Sequence, residues 1–147
     1  MRLSQSVQVL ALALIGLSFV GGYFAVRQGN SASRAMAASV QHGLGVAYDR
    51  IVLMAGDQGE LTDFKLSNDR FRTVLLGDSQ GQHQRALPTF VASQDVSVPA
   101  PAIQLGVDEL ICVVRLKNRR LIGLTGKRVV RDVSETEFRT WLNENAP

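Results

Sequence analysis

Apolar and polar positions divide this chain into three regimes. From Val7 to Val26 there is no charge, and apart from the amphipathic Tyr23 only Gln8 and Ser18 have polar side chains. A helix of about 20 residues spans roughly 30 Å, the thickness of a bilayer's hydrocarbon core. Lipid offers no partner to a backbone N–H or C=O, so an uninterrupted helix is predicted there. Arg2 precedes the stretch, and Tyr23 and Arg27 close it as an interfacial ring and a snorkelling cation would.

In the second regime, Ala37, Val40, Leu44, Ala47, Ile51 and Met54 recur at alternating spacings of three and four. That stripe predicts an amphipathic helix from about Ala32 or Ser33 to Ala55. Gly43 and Gly45 each cost such a helix about 1 kcal/mol against alanine. The stripe suits packing on the domain's own sheet, or pairing with a neighbour's juxtamembrane helix in a short coiled-coil seam.

The third regime alternates over short runs. Glu109–Leu116, Arg120–Leu124 and Arg128–Val133 predict three antiparallel strands, with turns at Lys117–Arg119 and Gly126–Lys127. Ser134-Glu135-Thr136-Glu137 has the form of a capping box, and Phe138, Trp141 and Leu142 give the helix after it an apolar face. Between Glu60 and Gln94 the pattern is weaker. Leu61–Leu66 suits a short strand, Asn68-Asp69 could cap a helix ending at Gly77, and Phe71–Leu76 serves as well for a strand. Asp78–Gln84 reads as a polar turn, Leu87–Ala92 as a strand, and Val96–Pro101 as an extended connector.

The expected fold is α+β: an N-terminal transmembrane helix, a juxtamembrane amphipathic helix, then a small antiparallel sheet, the C-terminal β-meander, covered by a C-terminal helix. The expected divisions are a tail at 1–6, an anchor at 7–26, a linker and helix at 27–55, and a domain at 56–147. The anchor could also be a secretory signal, with Arg2 as its charged start and Ser31-Ala32-Ser33 as its cleavage site. The apolar run is longer than an ordinary signal core, which favours an uncleaved anchor in a cell inner membrane. Flanking positive charges tie, and the short leading tail places the domain on the extracytoplasmic side. Cleavage would instead give a secreted or periplasmic protein. Gly16, Ser18, Gly21 and Gly22 bare one region of the helix surface, and Ser18-x-x-x-Gly22 is a small-xxx-small pair that lets another helix approach.

Composition excludes more than it selects. One cysteine, Cys112, permits no internal disulfide, and within Leu110–Val114 it reads as a small buried hydrophobe. His42 and His83 stand apart from any ligand cluster, so neither a metal nor a cofactor is expected. Val74–Ser79 resembles the first block of GDS-type esterases, and Gly77–Gly81 matches GxSxG. An elbow needs a following helix, and Gln82–Arg85 leads instead to Leu87-Pro88; Gly, Asp, Ser and Gln also suit a turn. Gly123–Arg128 superficially resembles a phosphate loop but lacks its first glycine and its hydroxyl residue.

The net charge is only +3, yet Arg115, Lys117, Arg119, Arg120, Lys127, Arg128 and Arg131 crowd seven cations into seventeen residues, with no acid between Leu110 and Val130. With no local partner these cations are expected to face water, either as ordinary solvated surface or as a site for an acidic protein or anionic lipid headgroups. No aromatic residue is interleaved with them, so sequence-specific nucleic acid is not expected. The function these features point to is a non-enzymatic, membrane-anchored accessory or scaffold subunit acting through protein contacts. Its partners would be other membrane subunits or itself, through the transmembrane and juxtamembrane helices. In layout it is similar to platform subunits of secretion and pilus machines. An extracytoplasmic ligand-binding or sensory module is the alternative, and a small hydrolase using Ser79 a third reading.

Overall fold

The computed structural model describes residues 5–56, 64–98 and 102–145, with residues 5–27 described as helix only, without their side chains. The fold is α+β, with three helices and two antiparallel sheets among the described residues. Two compact units are present, Met1–Met36 and Ala37–Pro147.

Helix α1 runs from Gln5 to Gly56 and contains both the apolar stretch and the amphipathic stripe. The apolar side chains of 7–26, on which the membrane expectation rests, lie outside the described residues; among those described, no helix is long and apolar enough to cross a membrane. In the second unit, Ala37, Val40, Leu44, Ala47, Tyr48, Ile51 and Ala55 are all buried, and Met54 packs beside them. The stripe is therefore used in this chain's own core. Gly43 has a reason: a Cβ there would lie 2.7 Å from the Ala86 carbonyl oxygen, so its absence lets that segment reach the helix. Gly45 faces open space, and nothing in the structure explains it.

Strands β1 (Lys65–Ser67) and β3 (Ala102–Gln104) form one small antiparallel pair. Strands β2 (Val96–Ser97), β4 (Leu110–Arg115), β5 (Leu121–Thr125) and β6 (Val130–Val133) form the larger sheet in the order β2-β4-β5-β6. The expected meander is β4-β5-β6, antiparallel throughout. One face, through Val114, Leu116, Ile122 and Leu124, joins the core of α1 and of α2 (Asn68–Leu76), where Phe71 and Leu75 are fully enclosed. Burying one such side chain contributes about 1.5–3 kcal/mol. The other face presents Leu110, Val113, Leu121 and Val133 to Phe138 and Trp141 of α3 (Glu135–Glu144). A register shift between Leu110 and Cys112 interrupts the alternation, so Ile111 and Cys112 both reach the α1 side.

The Ser134 half of the expected capping box forms: Ser134 Oγ accepts from the Glu137 N–H at 3.1 Å. Trp141 closes the far end by donating its indole N–H to the Leu110 carbonyl at 2.9 Å. Leu142, expected on the apolar face, is 41% exposed, because the contact with β4 is made by Phe138 and Trp141.

The middle departs further from expectation. Of the two readings of this stretch, Asn68–Leu76 takes the helical one, ending at Gly77, with Ser67 rather than Asn68 in the N-cap position and no side-chain cap bond. Leu87–Ala92 is not a strand. The Ala86 and Leu87 N–H groups bond to the carbonyls of Val74 and Leu75 at the end of α2, and Arg85 donates to the carbonyls of Leu87 and Val91. Arg72 likewise reaches the carbonyls of Ser93 and Val96. Two guanidinium groups thus satisfy carbonyls that a sheet neighbour would otherwise satisfy. Within the expected connector, Val96-Ser97 is an edge strand paired with Val114 and Val113. Of the strand expected at Leu61–Leu66, residues 61–63 lie outside the described residues.

Candidate functional site

The cations of the meander lie along and between three strands, and the absence of nearby acids in the sequence suggested a bare positive surface. The fold brings acids from elsewhere. Arg115 faces Glu135 with both guanidinium nitrogens, at 3.2 and 3.3 Å, while its guanidinium carbon sits 5.2 Å from the Phe138 ring centre. Arg120 forms a two-pronged pair with Asp132 at 2.7 and 2.9 Å. Lys127 reaches Asp108 at 2.7 Å. Arg128 holds Asp49 of α1 through two bonds of 2.8 Å, and Arg131 pairs with Glu137 through both nitrogens.

The electrostatics follow. Hydrogen bonds from Arg128, Arg120, Arg115 and Arg131 hold the carboxyls of Asp49, Asp132, Glu135 and Glu137 respectively below their usual range. The same contacts raise Arg120, Arg128 and Arg131. Each pair is substantially exposed, so water and salt screen it and its contribution to stability is small. The premise that these cations lack partners is corrected: four of the six residues expected to bind an anion, Arg115, Arg120, Lys127 and Arg128, already hold one of this chain's own carboxylates.

Lys117 and Arg119 differ. They belong to the β4–β5 turn rather than to a strand face, both are exposed, and neither has an ion pair among the described residues. Arg119 has φ 67, the left-handed region that side chains avoid.

At the other end of β4 lies an open groove of about 670 Å³, with Leu110, Trp141, Thr140, Glu109 and Glu144 among its lining residues. Asp108 and Glu137 also line it, but each is already engaged by a cation. A second hollow of about 430 Å³ is lined by Leu53 and Met54 of α1 with residues 82–84. Sequence reasoning missed the α3 groove; the signal was the charge on Glu109 and Glu144 flanking the residues that bury Trp141.

The other candidates resolve into structure. His83 Nδ1 lies 2.9 Å from Asp78 Oδ2, and the His83 N–H reaches Asp78 Oδ1 at 3.2 Å. Asp78 is thereby held below its usual carboxyl range. His83 thus engages Asp78, Ser79 is exposed in the turn, and His42 lies exposed on α1. Cys112 is fully buried and its thiol is pushed up to about 12 by burial. Gly126 is packed on carbonyls of Gln104 and Val107, which leaves no phosphate cradle at Gly123–Arg128. No group of three metal-ligating side chains occurs among the described residues. Gly16, Ser18 and Gly22 lie outside the residues whose side chains are described. No known protein family, curated protein or solved structure matches this chain.

Proposed function

We propose that this chain is a non-catalytic, single-pass subunit of an inner-membrane assembly, with its α+β domain on the extracytoplasmic side and working through protein contacts. The observation that carries this reading is the composition of α1: one helix includes twenty uncharged residues, Val7–Val26, and the stripe that enters the domain's core. Such a segment costs too much to leave in water and too little to exclude from lipid. Within the meander, Lys117 and Arg119 hold no carboxylate among the described residues, which leaves that turn to a partner's acids.

The test is fractionation with paired topology reporters fused after Pro147. The protein is expected in the membrane fraction and to resist alkaline carbonate. An export-dependent reporter should be active and a cytoplasm-dependent one silent. Recovery in the soluble fraction with a mature N-terminus at Arg34 would replace the anchor by a cleaved signal. The opposite reporter pattern would place the domain inside.

A further inference from the structure

The meander's surplus positive charge and the α3 groove's surplus negative charge sit at opposite ends of one strand. Among the described residues, Lys117 and Arg119 are the meander cations without a carboxylate, and Arg119 holds a backbone conformation that favours glycine. Arg128, the other arginine in that conformation, is held by Asp49. In the groove the position is mirrored. Asp108 and Glu137 are occupied by Lys127 and Arg131, whereas Glu109 and Glu144 are exposed and have no cation among the described residues. The groove's lining also includes Leu110 and Trp141, apolar groups for the methylene stem of a lysine or arginine.

We propose that the Lys117–Arg119 hairpin tip of one copy docks in the α3 groove of a second copy, its two cations meeting Glu109 and Glu144. This deepens the scaffold reading by naming a partner, and it rests on that reading only for the membrane that gathers the copies. The tip does not reach its own groove: β4 alone, Leu110–Arg115, sets the two about 17 Å apart at about 3.3 Å per residue. The contact is head to tail, so an open chain of copies keeps a free tip at one end and a free groove at the other until a ring closes. Two exposed charge pairs bind weakly in dilute solution, and confinement to one membrane supplies the effective concentration they need.

The test uses the full chain reconstituted in lipid vesicles at low salt, as an equal mixture of heavy-nitrogen-labelled and unlabelled copies treated with a water-soluble carbodiimide. The reagent activates a carboxylate, the Lys117 amine displaces it as the urea, and an amide forms with net loss of water. The expected product is a mixed-label peptide joining Lys117 to Glu109 or Glu144, abolished by raised salt. Its absence overturns the proposal.

A second measurement is the mass distribution of two reversed variants, Lys117→Glu with Arg119→Glu, and Glu109→Lys with Glu144→Lys. Each alone should lose the larger species. Mixed, they should recover the larger species, since the intact tip meets the intact groove and the reversed, acidic tip meets the reversed, basic groove. Circular dichroism checks that both fold. Association unchanged in both variants would assign it to the anchor helix and sink the docking proposal while leaving the membrane-subunit reading intact. A soluble, signal-cleaved chain that still gave the mixed-label peptide would do the reverse.

Discussion

The two hairpins of the meander have the same backbone but are held differently. In the β4–β5 hairpin the Leu116 N–H donates to the Arg120 carbonyl and the Arg119 N–H to the Leu116 carbonyl; in the β5–β6 hairpin Thr125, Val129 and Arg128 repeat the pattern. Each is a three-residue loop closed by a left-handed residue, the place glycine usually takes, and each has arginine there. The β5–β6 loop is tied into the domain. The Tyr48 hydroxyl and the Gly106 N–H donate to the Gly126 carbonyl, the Gly126 N–H donates to the Glu109 backbone carbonyl, and Arg128 reaches the Asp49 carboxylate. The β4–β5 loop has Asn118 Oδ1 accepting from the Arg120 N–H, a bond within the loop itself. One arginine is held in a disfavoured conformation by tertiary contacts, whereas the other has no ion pair among the described residues.

The largest difference is expected from placing alanine at the first position of each loop. At Gly126 a Cβ would lie 2.7 and 2.8 Å from the carbonyl oxygens of Val107 and Gln104, both backbone atoms that cannot rotate away. Gly126→Ala should therefore cost about 3 kcal/mol, near the top of the range for overpacking. Lys117→Ala in the other loop should stay within about 0.5 kcal/mol. Urea unfolding of both variants checks the contrast, and equal midpoints would mean that the β5–β6 loop is not packed as described. Next is Tyr48→Phe. It removes a buried bond of 2.9 Å but leaves the Gly126 carbonyl its Gly106 partner, so no acceptor is orphaned. A loss of about 1 kcal/mol with unchanged urea dependence is expected.

What the sequence made legible follows from the range of the interactions. The stripe from Ala37 to Met54, the meander and the Ser134 cap are encoded by neighbours a few residues apart, and all three are present. Three of the ion pairs were illegible because their partners are remote: Arg128 and Asp49 are 79 residues apart, Arg115 and Glu135 are 20, and Lys127 and Asp108 are 19. Counting acids near the cations therefore pointed to a bare surface where the fold makes a paired one. Leu87–Ala92 misled for a related reason. Its apolar run reads as a strand, but Arg72 and Arg85 supply the bonds that keep this region irregular, and no local pattern announces a guanidinium aimed at a distant carbonyl.

Acid should act on one hairpin's tie and not on the other's. Because Arg128 holds the Asp49 carboxyl below its ordinary value, the folded state binds fewer protons there than the unfolded state around pH 4. That stability is complete above the unfolded value, about pH 4, and is lost as the pH falls through the folded one. Exposure to solvent keeps it small. Asp49→Asn should thus be slightly less stable than wild type at neutral pH, the two converging in acid. Parallel pH profiles would mean that the pair contributes nothing to folding.

The smallest expected effect is the most direct comparison, because it differs in sign. Glycine at either left-handed position relieves roughly 1 kcal/mol of backbone strain and adds roughly 0.5–1 kcal/mol of unfolded-chain entropy to lose. Arg119→Gly has no ion pair to break among the described residues, so relief should prevail and the domain should gain about 0.3 kcal/mol. Arg128→Gly gains the same narrow margin but forfeits its two bonds to Asp49, and the balance should tip to a slight loss. Replicate thermal melts resolve such a difference when both variants are read against each other rather than against wild type. Adding Asp49→Asn to both backgrounds then isolates the pair: with that carboxylate gone, the two glycine substitutions should stabilise equally. If Arg128→Gly remained the worse of the two, the tie between the β5–β6 hairpin and α1 would have to lie in the backbone bonds of Gly126, not in the charge of Arg128.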